Sequence, residues 1–270
     1  MPGMRFVFIH NHIFKNAGST VDHVFERAGF ANTRIEATPE APTVYPRMIL
    51  DAVARDPSIE YVSSHVLRAP RPPDQEHLGF IDITFLRHPV ERLQSIWRYS
   101  RQEGVRDFPD AYKKATFAEF IDAVAHSAPA HVHSPQTVAL GNARDFYFPP
   151  DLRHLEHAKA AVSDTRFLGI VDLFDASFEV FLASCKALLP PGKDVAALAG
   201  PHAAVNATAP HGADLALRLQ GIRAEIGERR YAFLERANAL DLELFLHGRA
   251  ELLRRRSLLL ESGVSERAAC

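Results

Sequence analysis

The sequence predicts an α/β fold, with a mainly parallel central sheet flanked by helices and a helix-rich C-terminal half. Short apolar runs that favour strands alternate with longer segments in which apolar residues recur at helical spacing. One such run leads through a short polar loop directly into a helical pattern. The chain has 270 residues, of which 47% are hydrophobic, and this is enough to bury one full core.

In the N-terminal half, an apolar strand at Phe6–Ile9 is followed by the polar loop Lys15–Thr20 and then by a helix. The inner face of that helix is marked by apolar residues at helical spacing, namely Val21, Val24, Phe25 and Ala28. A helix at Met48–Arg55 precedes a short strand at Tyr61–Ser64. The β-rich run Ile81–Leu86 predicts the next strand, and Pro89 fits the first turn of the helix that follows.

The pattern of the C-terminal half is mostly helical. Charged or proline-bearing segments at 100–114, 128–135 and 190–211 predict loops. The predicted elements are helices at Phe117–Val124, Leu152–Val162 and Phe174–Leu188, a buried strand at Arg166–Ile170, and a helical pattern from Ala213 almost to Arg256. We therefore expect a single domain over residues 1–256 and a frayed C-terminal tail over 257–270.

Composition limits the partners of the chain. A net charge of −2 and a pI near 6.7 argue against a broad nucleic-acid-binding surface. Neither an 18-residue apolar run nor a secretory signal is visible, so we expect no membrane partner. The two cysteines, Cys185 and Cys270, do not form a disulfide framework, which favours the cytoplasm, and the abundance of Ala and Arg favours a bacterial source.

The loop before the first helix has the composition of an anion site. Backbone N–H groups at a helix N-terminus and the helix dipole attract negative charge, and Lys15, Ser19 and Thr20 add donors. An ordinary N-cap beside a glycine turn is the alternative interpretation. The loop is not a Walker A motif, because Lys15 precedes Gly18 instead of following a glycine directly.

A second basic position follows the strand Ile81–Leu86. Arg87 comes directly after it, and ligands of open α/β sheets bind at the carboxyl ends of strands. Arg87 is therefore expected on the same rim as Lys15. Ser95, two turns into the next helix, is expected to face the same ligand.

These two segments carry a resemblance to a known family. HIFKNAGST and FLRHPVERLQSIWRY resemble the signature motifs of sulfotransferases that use 3′-phosphoadenosine 5′-phosphosulfate (PAPS), closest to the carbohydrate O-sulfotransferase branch that contains heparan sulfate 2-O-sulfotransferase. The resemblance implies a P-loop-like sulfotransferase fold. It also implies that Arg87 and Ser95 bind the 3′-phosphate and that the 5′-phosphosulfate is bound by Lys15, Asn16, Ala17, Gly18, Ser19 and Thr20.

Further segments, spread over roughly residues 5–250, are also similar to the family: Ser134–Gly141, Phe167–Ser177, Asn206–Thr208 and Asn238–Asp241. Two positions depart from its pattern. Phe14 stands where the family usually has Pro, and His88 stands where it usually has Asp. The second departure removes a carboxylate beside Arg87 and bears on how that arginine is held.

Sulfuryl transfer needs a base for the acceptor hydroxyl and a cation for the leaving phosphate. His65 is the expected base, because it follows the strand Tyr61–Ser64 and resembles the family's strand-end histidine. Lys15 is the expected cation. A base on the first helix is the alternative, and that helix offers Asp22, His23 and Glu26.

Closely spaced histidine pairs occur at His10 and His12, at His131 and His133, and at His154 and His157. They lack the cysteine or acidic partners that would complete a ligand set in the sequence, so no metal is expected.

Three functions remain open at this point: a PAPS-dependent sulfotransferase that releases the bisphosphate PAP, a P-loop-like nucleotide kinase or NTPase, and a non-catalytic PAP(S)-binding protein. The missing Gly-Lys-Ser/Thr disfavours the second. For the first, the resemblance implies an acceptor hydroxyl on a saccharide. The oligomeric state cannot be read from the sequence.

Overall fold

The computed structural model describes residues 4–36, 38, 43–67, 71–102, 108–141, 149–199 and 214–268, without the side chains of 262–268. It confirms the predicted fold class, an α/β fold with a parallel sheet flanked by helices. Among these residues, no helix is long and apolar enough to cross a membrane.

The central sheet has five strands, all parallel, in the order β2-β3-β1-β4-β5. Asn11, at the end of β1, is in register with Ser64 of β3 and Thr84 of β4. The carboxyl ends of these three strands therefore lie at one edge of the sheet. The strands are β1 (Arg5–Asn11), β2 (Asn32–Arg34), β3 (Tyr61–Ser64), β4 (Leu78–Leu86) and β5 (Phe167–Ile170).

Twelve α-helices lie in the described part of the chain. They are α1 (Gly18–Arg27), α2 (Pro46–Arg55), α3 (Pro89–Ser100), α4 (Asp110–Lys114), α5 (Phe117–Ser127), α6 (Pro135–Leu140), α7 (Leu152–Asp164), α8 (Phe174–Cys185), α9 (Val195–Ala199), α10 (Leu215–Ile226), α11 (Glu228–Ala237) and α12 (Ala239–Ala268).

The alternation of side chains along β1 builds a core on each face of the sheet. Phe8 packs on one face with apolar residues of α1, α8 and α9, including Phe25 and Phe181. Val7 and Ile9 point to the other face and pack with α2. This period of two is what a strand that is buried on both faces requires.

The structure differs from the sequence prediction in its short elements. The edge strand β2 was not predicted, because Asn-Thr-Arg has no apolar pattern. The short helices α4 and α9 lie inside segments that were predicted to be loops, and α6 begins where another predicted loop ends. The helical pattern after Ala213 is three helices, since Gly227 with φ of 79° and Asn238 interrupt it.

The chain divides into two compact units. Unit 1 comprises residues 1–86, 159–205 and 246–270 and contains the sheet, and unit 2 comprises residues 87–158 and 206–245. The single domain over 1–256 stays a prediction. So does the frayed tail from residue 257, although α12 is helical as far as Ala268.

Candidate functional site

The loop between β1 and α1 has an unusual backbone. Lys15 and Ala17 have φ values of 66° and 63°, in the left-handed region, and Ala17 is the N-cap of α1. This conformation raises the free energy of a non-glycine residue by roughly 1–3 kcal/mol, and residues that adopt it cluster at functional sites. Left-handed residues within a loop also turn backbone N–H groups towards a common concavity that suits an anion.

The N-terminal turn of α1 carries two hydroxyl residues, Ser19 and Thr20. No side chain among the described residues caps it, and its first turn contains no carboxylate. Ser19 is exposed, whereas Thr20 is buried. An uncapped helix N-terminus beside an exposed hydroxyl is an arrangement that suits an anion.

Asn16 and Gly18 are fixed by packing within unit 1. The Asn16 side chain is buried, and its Nδ2 donates to the Phe85 carbonyl oxygen of β4 at 2.7 Å. A Cβ at Gly18 would lie 2.0 Å from Cδ2 and Nε2 of His12. From the sequence, Gly18 is expected in the 5′-phosphosulfate site or in an ordinary glycine turn; in the structure it also makes room for the buried imidazole of His12.

A buried polar cluster lies beneath this loop, with Asp22 of α1 at its centre. His10 Nδ1 lies 2.7 Å from Asp22 Oδ1, and the Tyr61 hydroxyl donates to the same oxygen at 2.6 Å. The other oxygen, Oδ2, accepts from Arg34 Nη2 at 2.8 Å and lies 3.2 Å from His12 Nδ1. These contacts tie α1 to β1, β2 and β3.

The cluster shifts the titration of its members. Burial alone would raise the pKa of Asp22, but hydrogen bonds from His10 and His12 outweigh burial and hold that pKa well below its ordinary range. Burial lowers the pKa of His12 from 6.5 to about 4. Asp22 is therefore a carboxylate and His12 a neutral ring at physiological pH.

His65 lies one residue beyond the end of β3, beside the loop that joins β1 to α1. Its ring centroid is 4.0 Å from that of His12 and 6.4 Å from that of Phe14, and its Nδ1 is 2.8 Å from Glu36 Oε1. The His65 side chain is 32% exposed, whereas the His10 and His12 side chains are 1% and 5% exposed. Of these three neighbouring histidine rings, that of His65 is the most exposed.

The alternative bases lie in less suitable surroundings. Asp22 is fully engaged in the polar cluster, and its lowered pKa makes it a weak base. His23 and Glu26 lie on the solvent-facing side of α1, with His23 Nδ1 3.8 Å from Glu26 Oε2. The geometry favours His65, although its role as base stays a prediction.

The His10, His12 and Asp22 side chains also satisfy the spacing of a metal site. Their donor atoms lie within 4.8 Å of one another, and no other such group of three occurs among the residues that the structure describes. The fold supplies the acidic partner that the sequence did not reveal. In the structure, Arg34 and Tyr61 already bind Asp22, so the charge of the carboxylate is matched without a metal. The expectation of no metal stays a prediction.

In unit 2, Arg87 is held through its backbone. Its N–H donates to Gln136 Oε1 at 3.0 Å, and its carbonyl oxygen accepts from Gln136 Nε2 at 2.9 Å. Asp241 in turn accepts from the backbone N–H of Gln136 at 3.0 Å and of Thr137 at 2.7 Å. The buried side chains of Gln136 and Asp241, called the Gln136 clamp below, thus fix the backbone of Arg87.

His88 follows Arg87 directly and precedes the first turn of α3. His88 is buried, its ring contacts Phe245 edge-on at 5.5 Å, and burial lowers its pKa to about 4. His88 is therefore a neutral ring in an apolar contact, and the Arg87 backbone is oriented by Gln136. Ser95 is 4% exposed within α3, so its side chain is largely buried.

Sequence reasoning missed four polar residues of these arrangements: Arg34, Glu36, Tyr61 and Gln136. Gln136 lies in the segment that resembles the family, and this could have indicated a role. Arg34 and Glu36 lie on and beside an edge strand without an apolar pattern, where a single sequence gives no signal.

A comparison with models of known protein families finds no match. The chain is similar to a protein of Archaeoglobus fulgidus that is described as uncharacterized. The two are 23% identical over 251 residues, which cover 89% of this chain and 95% of the relative. The similarity extends over most of both chains and assigns no activity to either.

Proposed function

We propose that this protein is a PAPS-dependent sulfotransferase that transfers a sulfuryl group to an acceptor hydroxyl, on a saccharide by resemblance. The observation that carries the proposal is the loop before α1. It combines two left-handed non-glycine residues, Lys15 and Ala17, the first of which carries a positive charge, with a helix N-terminus that no described side chain caps. This combination suits a phosphate or sulfate group, and the family resemblance selects a phosphosulfate.

The proposed reaction uses the two sequence-predicted catalytic residues. The acceptor oxygen attacks the sulfur while the bond from sulfur to the bridging phosphate oxygen breaks, and PAP leaves. Nε2 of His65 takes the acceptor proton, and Lys15 stabilises the charge on the leaving phosphate. Arg87 and Ser95 are assigned to the 3′-phosphate from the resemblance.

The kinase alternative predicts a different requirement for ions. An NTPase of this class needs Mg²⁺, held by a hydroxyl after the loop lysine and by a strand-end carboxylate. Here β3 and β4, the neighbours of β1, are followed by His65 and Arg87. These residues match an anionic ligand better than a cation.

Ligand-induced stabilisation tests this choice. PAP at about 100 times its dissociation constant should add roughly 2.7 kcal/mol to the stability of the protein, and ATP with Mg²⁺ should add far less. Lys15→Ala and Arg87→Ala should abolish most of the shift, whereas the exposed controls Lys186→Ala and Arg27→Ala should keep it. Equal stabilisation by ATP that depends on Mg²⁺ would favour a kinase instead.

Transfer of labelled sulfate from PAPS to a panel of saccharide, phenol and amine acceptors tests the activity itself. His65→Ala should lower turnover by about 10²- to 10⁴-fold while PAP still binds. Binding of PAP without transfer to any acceptor would indicate a non-catalytic PAP-binding protein. We also propose a cytoplasmic location, which agrees with the buried free thiol of Cys185.

A further inference from the structure

We propose that Glu36 is the positioning residue for His65: its carboxylate holds the imidazole with Nδ1 protonated and leaves Nε2 to accept a proton. This inference rests on the proposed function for its catalytic consequence. The contact itself does not depend on that function, because it comes from the geometry of unit 1.

The chemistry of the contact determines the tautomer. His65 Nδ1 lies 2.8 Å from Glu36 Oε1. An ionised carboxylate can only accept a hydrogen bond, so Nδ1 must carry the proton. In a neutral ring the lone pair is then on Nε2, which is the atom that a general base would use.

The carboxylate of Glu36 is itself held in place. Arg34 Nε lies 3.5 Å from Glu36 Oε1, and Arg34 Nη2 donates to Asp22 Oδ2 at 2.8 Å. The guanidinium therefore connects Glu36 to the polar cluster at the base of α1. The neighbouring ring of His12, 4.0 Å away, limits how the His65 ring can tilt.

The same arrangement would support the reaction. When Nε2 of His65 takes the acceptor proton, the ring becomes an imidazolium, and the adjacent carboxylate of Glu36 stabilises that charge. Within the described ranges of the chain, the titratable and charged groups in contact with His65 are Glu36 and the neutral His12, and Arg34 reaches it through Glu36. Removing the charge of Glu36 should therefore make the imidazolium harder to form.

The side chains of Glu36 and His65 are 39% and 32% exposed, so both can be replaced without opening a core. Glu36→Ala removes the hydrogen bond, and Glu36→Gln keeps a possible acceptor but removes the charge. Glu76→Gln is the matched control, because Glu76 is an exposed carboxylate that lies 3.7 Å from a histidine ring, that of His77, outside the proposed site. Each variant is compared by thermal unfolding and by its affinity for PAP.

The kinetic test separates positioning from folding. We expect Glu36→Ala to lower kcat by about 10- to 100-fold, with little change in the acceptor KM, in PAP affinity or in Tm. Glu36→Gln should lose less activity, and the acid limb of its pH–rate profile should move to lower pH. Glu76→Gln should match the wild type. Wild-type kcat and an unmoved acid limb in both Glu36 variants would overturn the proposal.

An NMR test does not depend on activity. Long-range ¹H–¹⁵N spectra of the imidazole nitrogens should show Nδ1–H as the dominant tautomer of His65 in the wild-type protein, and Glu36→Ala should lose this preference. A different dominant tautomer in the wild type would overturn the proposed contact. If Nδ1–H dominates and no transfer from PAPS occurs, the proposed function fails while the Glu36–His65 contact stands.

Discussion

Replacement of Gly18 by alanine tests the close packing between the start of α1 and the ring of His12. An added Cβ would lie 2.0 Å from two atoms of the His12 ring and 2.6 Å from a third. To reach the 3.4 Å of an ordinary contact, the ring would have to move by about 1.4 Å. His12 is 4% exposed and lies beside the rings of His10 and His65, so it cannot move freely.

The expected cost follows from two opposing effects. Overpacking of a well-packed site costs about 1–3 kcal/mol. Alanine is a better helix former than glycine by roughly 0.5–1 kcal/mol, which offsets part of that cost at the first residue of α1. We expect Gly18→Ala to lose about 1–2 kcal/mol of stability, which corresponds to a decrease in Tm of about 2–8 °C.

Urea and thermal unfolding measure this change, and Gly221→Ala is the matched control. Gly221 lies inside α10, and nothing lies within 4 Å of an added Cβ there, so that variant should gain about 0.5–1 kcal/mol. In the double variant His12→Ala/Gly18→Ala the clash is gone, so the two changes should be less destabilising together than their separate effects predict. Wild-type stability of Gly18→Ala, or additive effects in the double variant, would refute the reasoning.

Three further predictions concern the buried polar groups. Burial lowers the pKa of His12, His88 and His131 from 6.5 to about 4. The unfolded chain therefore binds more protons than the folded chain between pH 4 and 6.5, and the free energy of unfolding should fall as the pH falls through that window. Urea unfolding at pH 7 and 5 checks this, and His88→Phe, which cannot take a proton, should flatten the dependence. Asp22→Asn should lower the free energy of unfolding by about 2–3 kcal/mol, somewhat less than the loss of a fully buried pair, because a fifth of the Asp22 side chain is exposed. The exposed control Asp51→Asn should lower it little, and equal effects of the two variants in urea unfolding would contradict this prediction. Gln136→Ala removes the partners of the Arg87 backbone and should cost about 1–3 kcal/mol, with faster hydrogen exchange at the Arg87 amide; unchanged exchange would contradict the Gln136 clamp.

The fold class could be predicted because the principal strands carry their own signal. Phe6–Ile9 is an apolar run and Ile81–Leu86 is rich in residues that favour strands, and both lie within strands of the parallel sheet. The edge strand β2 has one ladder partner and no buried face, so burial imposes no pattern on its three residues. Short helices such as α9 could not be predicted for a similar reason, since a single turn is too short to show periodicity.

The candidate site was predicted only where residues follow strands directly. The parallel arrangement brings the loop after β1 and His65 after β3 to one edge of the sheet, as the rule for parallel strands requires. Glu36 and Arg34 could not be predicted in the same way. Their contacts depend on the register of β2 against β3, which no local pattern in the sequence determines.

The pair His10 and His12 illustrates what spacing alone cannot decide. His10 lies in β1 and His12 lies one residue beyond its end, and the sequence alone allows the pair to be metal ligands or ordinary buried residues. In the structure, the His12 ring excludes a Cβ at Gly18 and lies 4.0 Å from the ring of His65. The buried ring of His12 therefore contacts both the start of α1 and the ring of His65. His12→Ala should consequently disturb both, weakening PAP binding and lowering turnover together, whereas His65→Ala should lower turnover alone.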